Sequence, residues 1–313
     1  MKALAALRLA ALLLPLAACT TLERAIHIHS GAALEARTFT QADGQASLYY
    51  AHRTPVPGEP DTALFLIGGS GCASWKALMP HYVAGFARPA HVFAVNKRHI
   101  DDVSLGVLPC SRRFHEHNHI SQWTSDYAAF VRAMLAGLPV PPRHVVLVGV
   151  SEGALPATLL AAQERSVTHL ALIGFGGWSI RRSMQVLFDQ GRGDTNPADL
   201  QKLIERAPHS LTDEINGHPY RWWHGVLDID PMPTLKRLDL PIIVGMGEAD
   251  ASVPAASAVD LERQFSLAGK RNAQIHLYPG ADHRLQASGR SYRVDFFGEL
   301  AACMAGKCTG TPR

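Results

Sequence analysis

One stretch constrains the whole chain: Arg143 to Leu160, where an apolar run, R-H-V-V-L-V-G-V, delivers Ser151 into a run suited to a helix, S-E-G-A-L-P-A-T-L-L. At its centre stands Gly149-Val150-Ser151-Glu152-Gly153, a G-x-S-x-G arrangement. A serine in this setting is expected on a tight strand-to-helix turn, with the flanking glycines giving neighbouring backbone room to approach. Its hydroxyl is a weak nucleophile until a base removes the proton, and a helix N-terminus sets backbone N–H groups beside the oxyanion formed on attack. Val145 to Val148 are apolar and mostly β-branched, as in a strand buried on both faces. Ala154 to Ala162 predict a helix, with Pro156 in its tolerant first turn.

A serine nucleophile needs a base and a carboxylate to orient that base. An apolar strand over 240–244 runs into G-M-G-E-A-D-A-S-V-P, which offers Asp250. Its plainer role would be a turn aspartate capping the helix that follows, and Asp228 and Asp230 are weaker rivals earlier in the chain. The strand over 273–278 is followed by P-G-A-D-H, and of sixteen histidines His283 is the one in a glycine loop just past a strand, after both Ser151 and Asp250. Histidine titrates near neutrality, as a general base should. A third glycine-rich turn, Gly68-Gly69-Ser70-Gly71, follows the buried strand Thr62 to Ile67. It is the expected source of a second oxyanion donor, the N–H of Ser70 with Gly71 next, beside the N–H of Glu152.

Around these motifs the chain predicts strands over 37–41 and 46–52 flanking Asp43-Gly44, a helix over 74–86, and a strand over 91–95. An irregular stretch over 97–120 comes next, then a helix over 122–138. A strand over 168–173 follows the elbow helix. Later helices are expected over 258–268 and 290–304. Alternating strand and helix implies parallel β-α-β units. That rhythm stops between Trp178 and Leu238, where helices are expected over 181–189, 197–207 and 213–215. Such an insertion would lie over the sheet as a lid, its Tyr220, Trp222 and Trp223 either lining a pocket or packing the lid down.

Over 36–304 the chain resembles the α/β-hydrolase superfamily, through G-V-S-E-G, G-E-A-D-A-S-V-P and P-G-A-D-H in the order Ser, Asp, His. The G-G-S-G turn is similar to those of its esterase and acyl-peptide-hydrolase-like branches, with Gly68 standing where histidine is usual. The resemblance implies an α/β fold with a mainly parallel sheet, helices on both faces and a helical lid over about 178–238. It implies a cofactor-independent serine hydrolase acting on a small-molecule carboxylic ester or thioester. A serine peptidase or amidase is the enzymatic alternative, and a non-catalytic envelope protein on the same scaffold is the other.

With 313 residues, 47% hydrophobic and 18% charged, the chain can bury one large core, and its net charge of +3 is small. Basic residues are scattered, so no nucleic-acid partner is expected. Lys97 to Ile120 gathers His99, Cys110, His115, Glu116, His117 and His119, but without the H-E-x-x-H spacing. A solvated loop, not a metal site, is the expectation there.

The N-terminus reads as an export leader over 1–18, with Lys2 and Arg8, an apolar run too short to span a bilayer, and small residues before Cys19. Leu16-Ala17-Ala18-Cys19 resembles the bacterial lipobox, which implies lipidation of Cys19, a tether over 19–35 and a membrane partner reached through that lipid. Thr20 in place of aspartate resembles outer-membrane lipoproteins facing the periplasm. In that compartment Cys72, Cys110, Cys303 and Cys308 can pair. One arrangement joins Cys303 to Cys308 and Cys72 to Cys110; the other leaves four free thiols.

Overall fold

The computed structural model describes residues 34–107 and 109–307. The leader, Cys19 and nearly all of the tether lie outside the described residues. So does Cys308, and with it the expected Cys303–Cys308 pairing. No helix among the described residues is long and apolar enough to cross a membrane.

The strands are β1 (Arg37–Thr40), β2 (Ala46–Arg53), β3 (Thr62–Ile67), β4 (Ala90–Val95), β5 (His144–Val150), β6 (His169–Ile173), β7 (Glu214–Ile215), β8 (His218–Pro219), β9 (Ile242–Gly247), β10 (Ala273–Tyr278), β11 (Gln286–Ala287) and β12 (Arg290–Ser291). The helices are α1 (Met79–Tyr82), α2 (Arg112–His117), α3 (Ile120–Ala136), α4 (Ala154–Gln163), α5 (Ile180–Asp189), α6 (Pro197–Arg206), α7 (Tyr220–Val226), α8 (Met232–Arg237), α9 (Ala256–Leu267) and α10 (Arg293–Ala302). Eight strands form one sheet in the order β1-β2-β4-β3-β5-β6-β9-β10. β2 runs antiparallel to β1 and to β4, and every other pairing is parallel.

Every residue of β3, β6 and β9 is buried, because the sheet is covered on both faces. On one side Phe65, Leu147 and Leu172 pack against Phe130 of α3, Leu160 of α4, Leu235 of α8 and Leu261 of α9. On the other, Leu64, Val146 and Ile243 pack against Met79 and Phe296, Phe297 and Leu300 of α10. The chain leaves β3 toward β4 on one side and returns to β5 on the other, so the strand order reverses between β3 and β5. Ligands of open α/β sheets bind in the crevice at such a switch point. Ile67 pairs with Gly149, so these two strands end level and the loops beyond them lie side by side.

Several elements differ from the expectation. The helix over 74–86 is only a 3₁₀ turn, Trp75–Ala77, followed by the one-turn α1, whose second residue is Pro80. A longer helix there would need the N–H that Pro80 lacks. The irregular stretch over 97–120 contains α2, with Phe114 and His115 buried and Ser111 capping it by accepting from the Phe114 N–H at 3.1 Å. The piece over 213–215 is not helical but leads into the two-residue-strand hairpin β7–β8, turned by Asn216-Gly217, both at the positive φ that a tight hairpin turn requires. Between β6 and β9 the chain forms α5, α6, that hairpin, α7 and α8. Its own small core joins Leu200 and Ile204 to Trp222, Trp223, Val226 and Leu227.

Candidate active site

β5 ends at Val150, and Ser151 turns into a 3₁₀ turn, Ser151–Gly153, that leads into α4. Ser151 has φ +53°, in the left-handed region that costs a non-glycine residue about 1–2 kcal/mol. The turn is tight because its flanks are bare. A Cβ on Gly149 would come within 2.6 Å of Ala154 Cα, and one on Gly153 within 2.3 Å of the Ile67 and Gly68 carbonyl oxygens. The serine thus stands at a helix N-terminus with backbone N–H groups beneath it.

The loops after β9 and β10 bring the other two groups to it. His283 Nε2 is 2.8 Å from Ser151 Oγ, and His283 Nδ1 is 2.7 Å from Asp250 Oδ2. One tautomer satisfies both contacts: Nδ1–H donates to the carboxylate and Nε2 accepts from the hydroxyl, an assignment made from the hydrogen-bond network. Asp250 is 1% exposed, and its Oδ1 accepts the N–H groups of Ser252 at 2.7 Å and Val253 at 2.9 Å. Its rivals are occupied elsewhere. Asp228 pairs with Arg181, and Asp230 Oδ1 accepts the Met232 N–H at 3.0 Å. Arg192, which the sequence reading missed, donates from Nη2 to the Asp250 carbonyl at 2.8 Å. Nothing in its local sequence marks it, because it comes from a loop 58 residues earlier.

The turn after β3 lies against the serine. A Cβ on Gly69 would be 3.2 Å from Ser151 Cβ, and Ser70 lines the same cavity as Ser151 and Glu152. Two residues past Ser70 the loop is fastened by the disulfide Cys72–Cys110, Cα–Cα 5.7 Å. It is held again where Ser104 Oγ donates to the Cys72 carbonyl at 2.6 Å and the Ser74 N–H donates to the Ser104 carbonyl at 2.8 Å. Of the two cysteine arrangements, this half of the paired one is present.

A cavity of about 410 Å³ opens at Ser151. Leu155, Phe175, Trp178, Trp222, Trp223 and Val226 give it a largely apolar wall, most of it from the insertion between β6 and β9. Trp222 and Trp223 therefore both pack the insertion and line the cavity. Beneath this wall Glu152 is buried. Burial works against its charge, but Lys97, His218 and the Trp222 N–H outweigh it and hold the carboxyl below its usual range. Burial pulls the Lys97 ammonium down despite Glu152, and burial likewise lowers His218. Around α2, His99 and His117 have ring centroids 4.9 Å apart, but among the described residues no three metal-ligating side chains converge.

The dienelactone hydrolase family model matches residues 221–304, the part that carries Asp250 and His283. No curated protein matches the chain. Among solved structures, it is similar to Est1E from Butyrivibrio proteoclasticus bound to ferulic acid, at 16% identity and TM-score 0.62, covering 87% of this chain and 100% of that one. It is similar to a highly thermostable carboxyl esterase from Bacillus coagulans, at 14% identity and TM-score 0.61, covering 88% and 99%. The acylaminoacyl peptidase of Pyrococcus horikoshii is similar at 14% identity and TM-score 0.58, covering 90% of this chain and 43% of that one. At such identities the likeness is one of architecture, and the architecture is the α/β-hydrolase fold.

Proposed function

We propose that this protein is a serine hydrolase that cleaves a carboxylic ester or thioester with an apolar acyl group. One observation carries the reading: hydroxyl, imidazole and carboxylate form a single hydrogen-bonded line, 2.8 Å and 2.7 Å, where a largely apolar cavity meets a serine held at positive φ. In this mechanism Ser151 Oγ attacks the acyl carbonyl as His283 Nε2 takes its proton, and Asp250 stabilises the resulting imidazolium. The N–H groups of Glu152 and Ser70 receive the oxyanion. His283 then gives the proton to the departing alcohol or thiol, leaving an ester on Ser151. Water repeats the sequence and releases the acid. The insertion acts as a lid whose aromatic wall receives the acyl group, since apolar cavities take apolar ligands.

The test is a fluorophosphonate probe and a series of p-nitrophenyl esters, set against aminoacyl amides. Ser151→Ala should abolish labelling, and Ser151→Ala and His283→Ala should each lower kcat on the order of 10⁴-fold. Full activity in purified Ser151→Ala would overturn the mechanism, and faster turnover of the amides would turn the reading to a peptidase. The leader and Cys19 support a lipid-anchored envelope enzyme facing the periplasm. Palmitate labelling that Cys19→Ser removes is the expected result, and an unlabelled wild-type protein would make it a soluble exported enzyme instead.

A further inference from the structure

Glu152 faces two ways. Its N–H belongs to the turn that carries Ser151, while its side chain runs inward, where both carboxylate oxygens are taken. Oε2 accepts from Lys97 Nζ at 3.0 Å, and Oε1 accepts from Trp222 Nε1 at 2.6 Å. The Lys97 and Glu152 side chains are each only 7% exposed. Lys97 comes from the segment after β4 and sits 3.7 Å from the centroid of the Trp123 ring. Trp222 comes from α7 in the insertion and stacks on His218 at 3.9 Å. A charge pair so enclosed adds little net stability over an apolar pair of the same volume, because desolvation cancels most of the attraction. Its worth lies in what it fixes.

We propose that Glu152 is a positioning residue whose buried carboxylate, gripped by Lys97 and Trp222, holds the Ser151 turn and its oxyanion donor and couples both to the insertion. The proposal rests on the catalytic reading of Ser151. A non-glycine residue at positive φ persists only when its surroundings over-determine it. Here the next residue is tied from two separate elements, so the turn cannot relax without breaking a buried charged contact. The tie also makes Trp222 and the oxyanion donor one mechanical unit. Moving the indole loosens Glu152, even for a substrate too short to reach the indole.

The experiment measures kcat and KM on p-nitrophenyl acetate, fluorophosphonate labelling rate and melting temperature for the wild type, Glu152→Gln, Lys97→Met, the Lys97→Met/Glu152→Gln double variant and Trp222→Phe. Loss of one hydrogen bond to a charged group should lower kcat about tenfold in Glu152→Gln, Lys97→Met and Trp222→Phe, with KM within about twofold. The double variant buries no unpaired charge, so its melting temperature should recover while its kcat stays low. A purely structural pair would instead make kcat follow melting temperature, and recovery of both together in the double variant overturns the proposal. So does unchanged kcat in folded Glu152→Gln or Trp222→Phe. If Glu152→Gln does not fold, the double variant and Trp222→Phe decide the matter. An unreactive wild-type protein overturns the hydrolase reading before any variant is compared, whereas a reactive wild type with unaffected variants overturns the positioning role alone.

Discussion

Gly174, the residue after β6, lies so close to His283 that a Cβ on it would stand 2.8 Å from the imidazole Cε1 and 3.0 Å from Nδ1. Its φ of +64° also disfavours any residue with a side chain. Gly174→Ala should therefore push the ring off the line that joins Ser151 to Asp250. Misplacement of a reacting group by about 1 Å can cost roughly 10²-fold, so kcat should fall between about tenfold and a hundredfold with KM little changed. Initial rates on p-nitrophenyl acetate check this, with circular dichroism confirming the fold. Wild-type kcat would mean that the imidazole has slack the distances do not reveal.

The Cys72–Cys110 disulfide closes a chain segment spanning 38 residues and ends two residues from Ser70. Chain-entropy arithmetic assigns a loop of that length about 4 kcal/mol. The pair Cys72→Ser/Cys110→Ser should lose stability on that scale in chemical denaturation. It should also label more slowly with a fluorophosphonate, because the bond braces the loop proposed to supply the second oxyanion donor. A variant that loses stability yet labels at the wild-type rate would limit the bond to stapling.

Most of the candidate site was legible because each group follows a strand end. Apolar runs fix where β5, β9 and β10 stop, and Ser151, Asp250 and His283 are each a few residues beyond. The distances joining them were not legible, since they depend on β3, β5, β6, β9 and β10 ending nearly level. Arg192 and Lys97 escaped for a related reason. Their roles come from contacts 58 and 55 residues away in sequence, with no local pattern to mark them. Helix α2 escaped because its single buried turn, Phe114-His115, is too short to show a period, and the histidine-rich composition around it suggested a solvated loop. The β7–β8 hairpin was too short to outweigh its neighbours' helical pattern.

Acid should weaken the fold through His169. This residue opens β6, is buried, and has Nδ1 2.8 Å from Thr168 Oγ1. Burial first, then the charges of His144 and Arg88, pull its pKa down to about 4. The folded value thus lies below the unfolded value of about 6.5, so the unfolded chain takes up the proton first. The stability at stake is present above pH ~6.5 and is lost as pH falls toward about 4, on the order of 3 kcal/mol over that window. Denaturant melts at several pH values should show His169→Gln losing less over this range than the wild type. Parallel curves would place the acid sensitivity in other histidines.

Trp223 should set acyl-chain preference. Its ring is 5% exposed, lines the cavity, meets Trp222 edge-on at 4.8 Å, and donates from Nε1 to the Ile215 carbonyl at 3.0 Å. It is a better probe of the pocket than Trp222, which is hydrogen-bonded to Glu152 and would disturb the serine turn as well. Trp223→Leu keeps an apolar group there while freeing space along the wall. Each methylene that finds new apolar contact adds about 0.8 kcal/mol, close to fourfold in kcat/KM. Across p-nitrophenyl esters from acetate to decanoate, the variant should gain on the longer chains relative to the wild type. The shift should reach at least about tenfold once two or three added methylenes enter the new space, while acetate stays within about threefold. Some stability will be lost with the indole, so rates must be taken well below the variant's melting temperature. Superimposable chain-length profiles would assign Trp223 to packing of the insertion and move the acyl site toward Phe175 and Trp178, which line the same cavity.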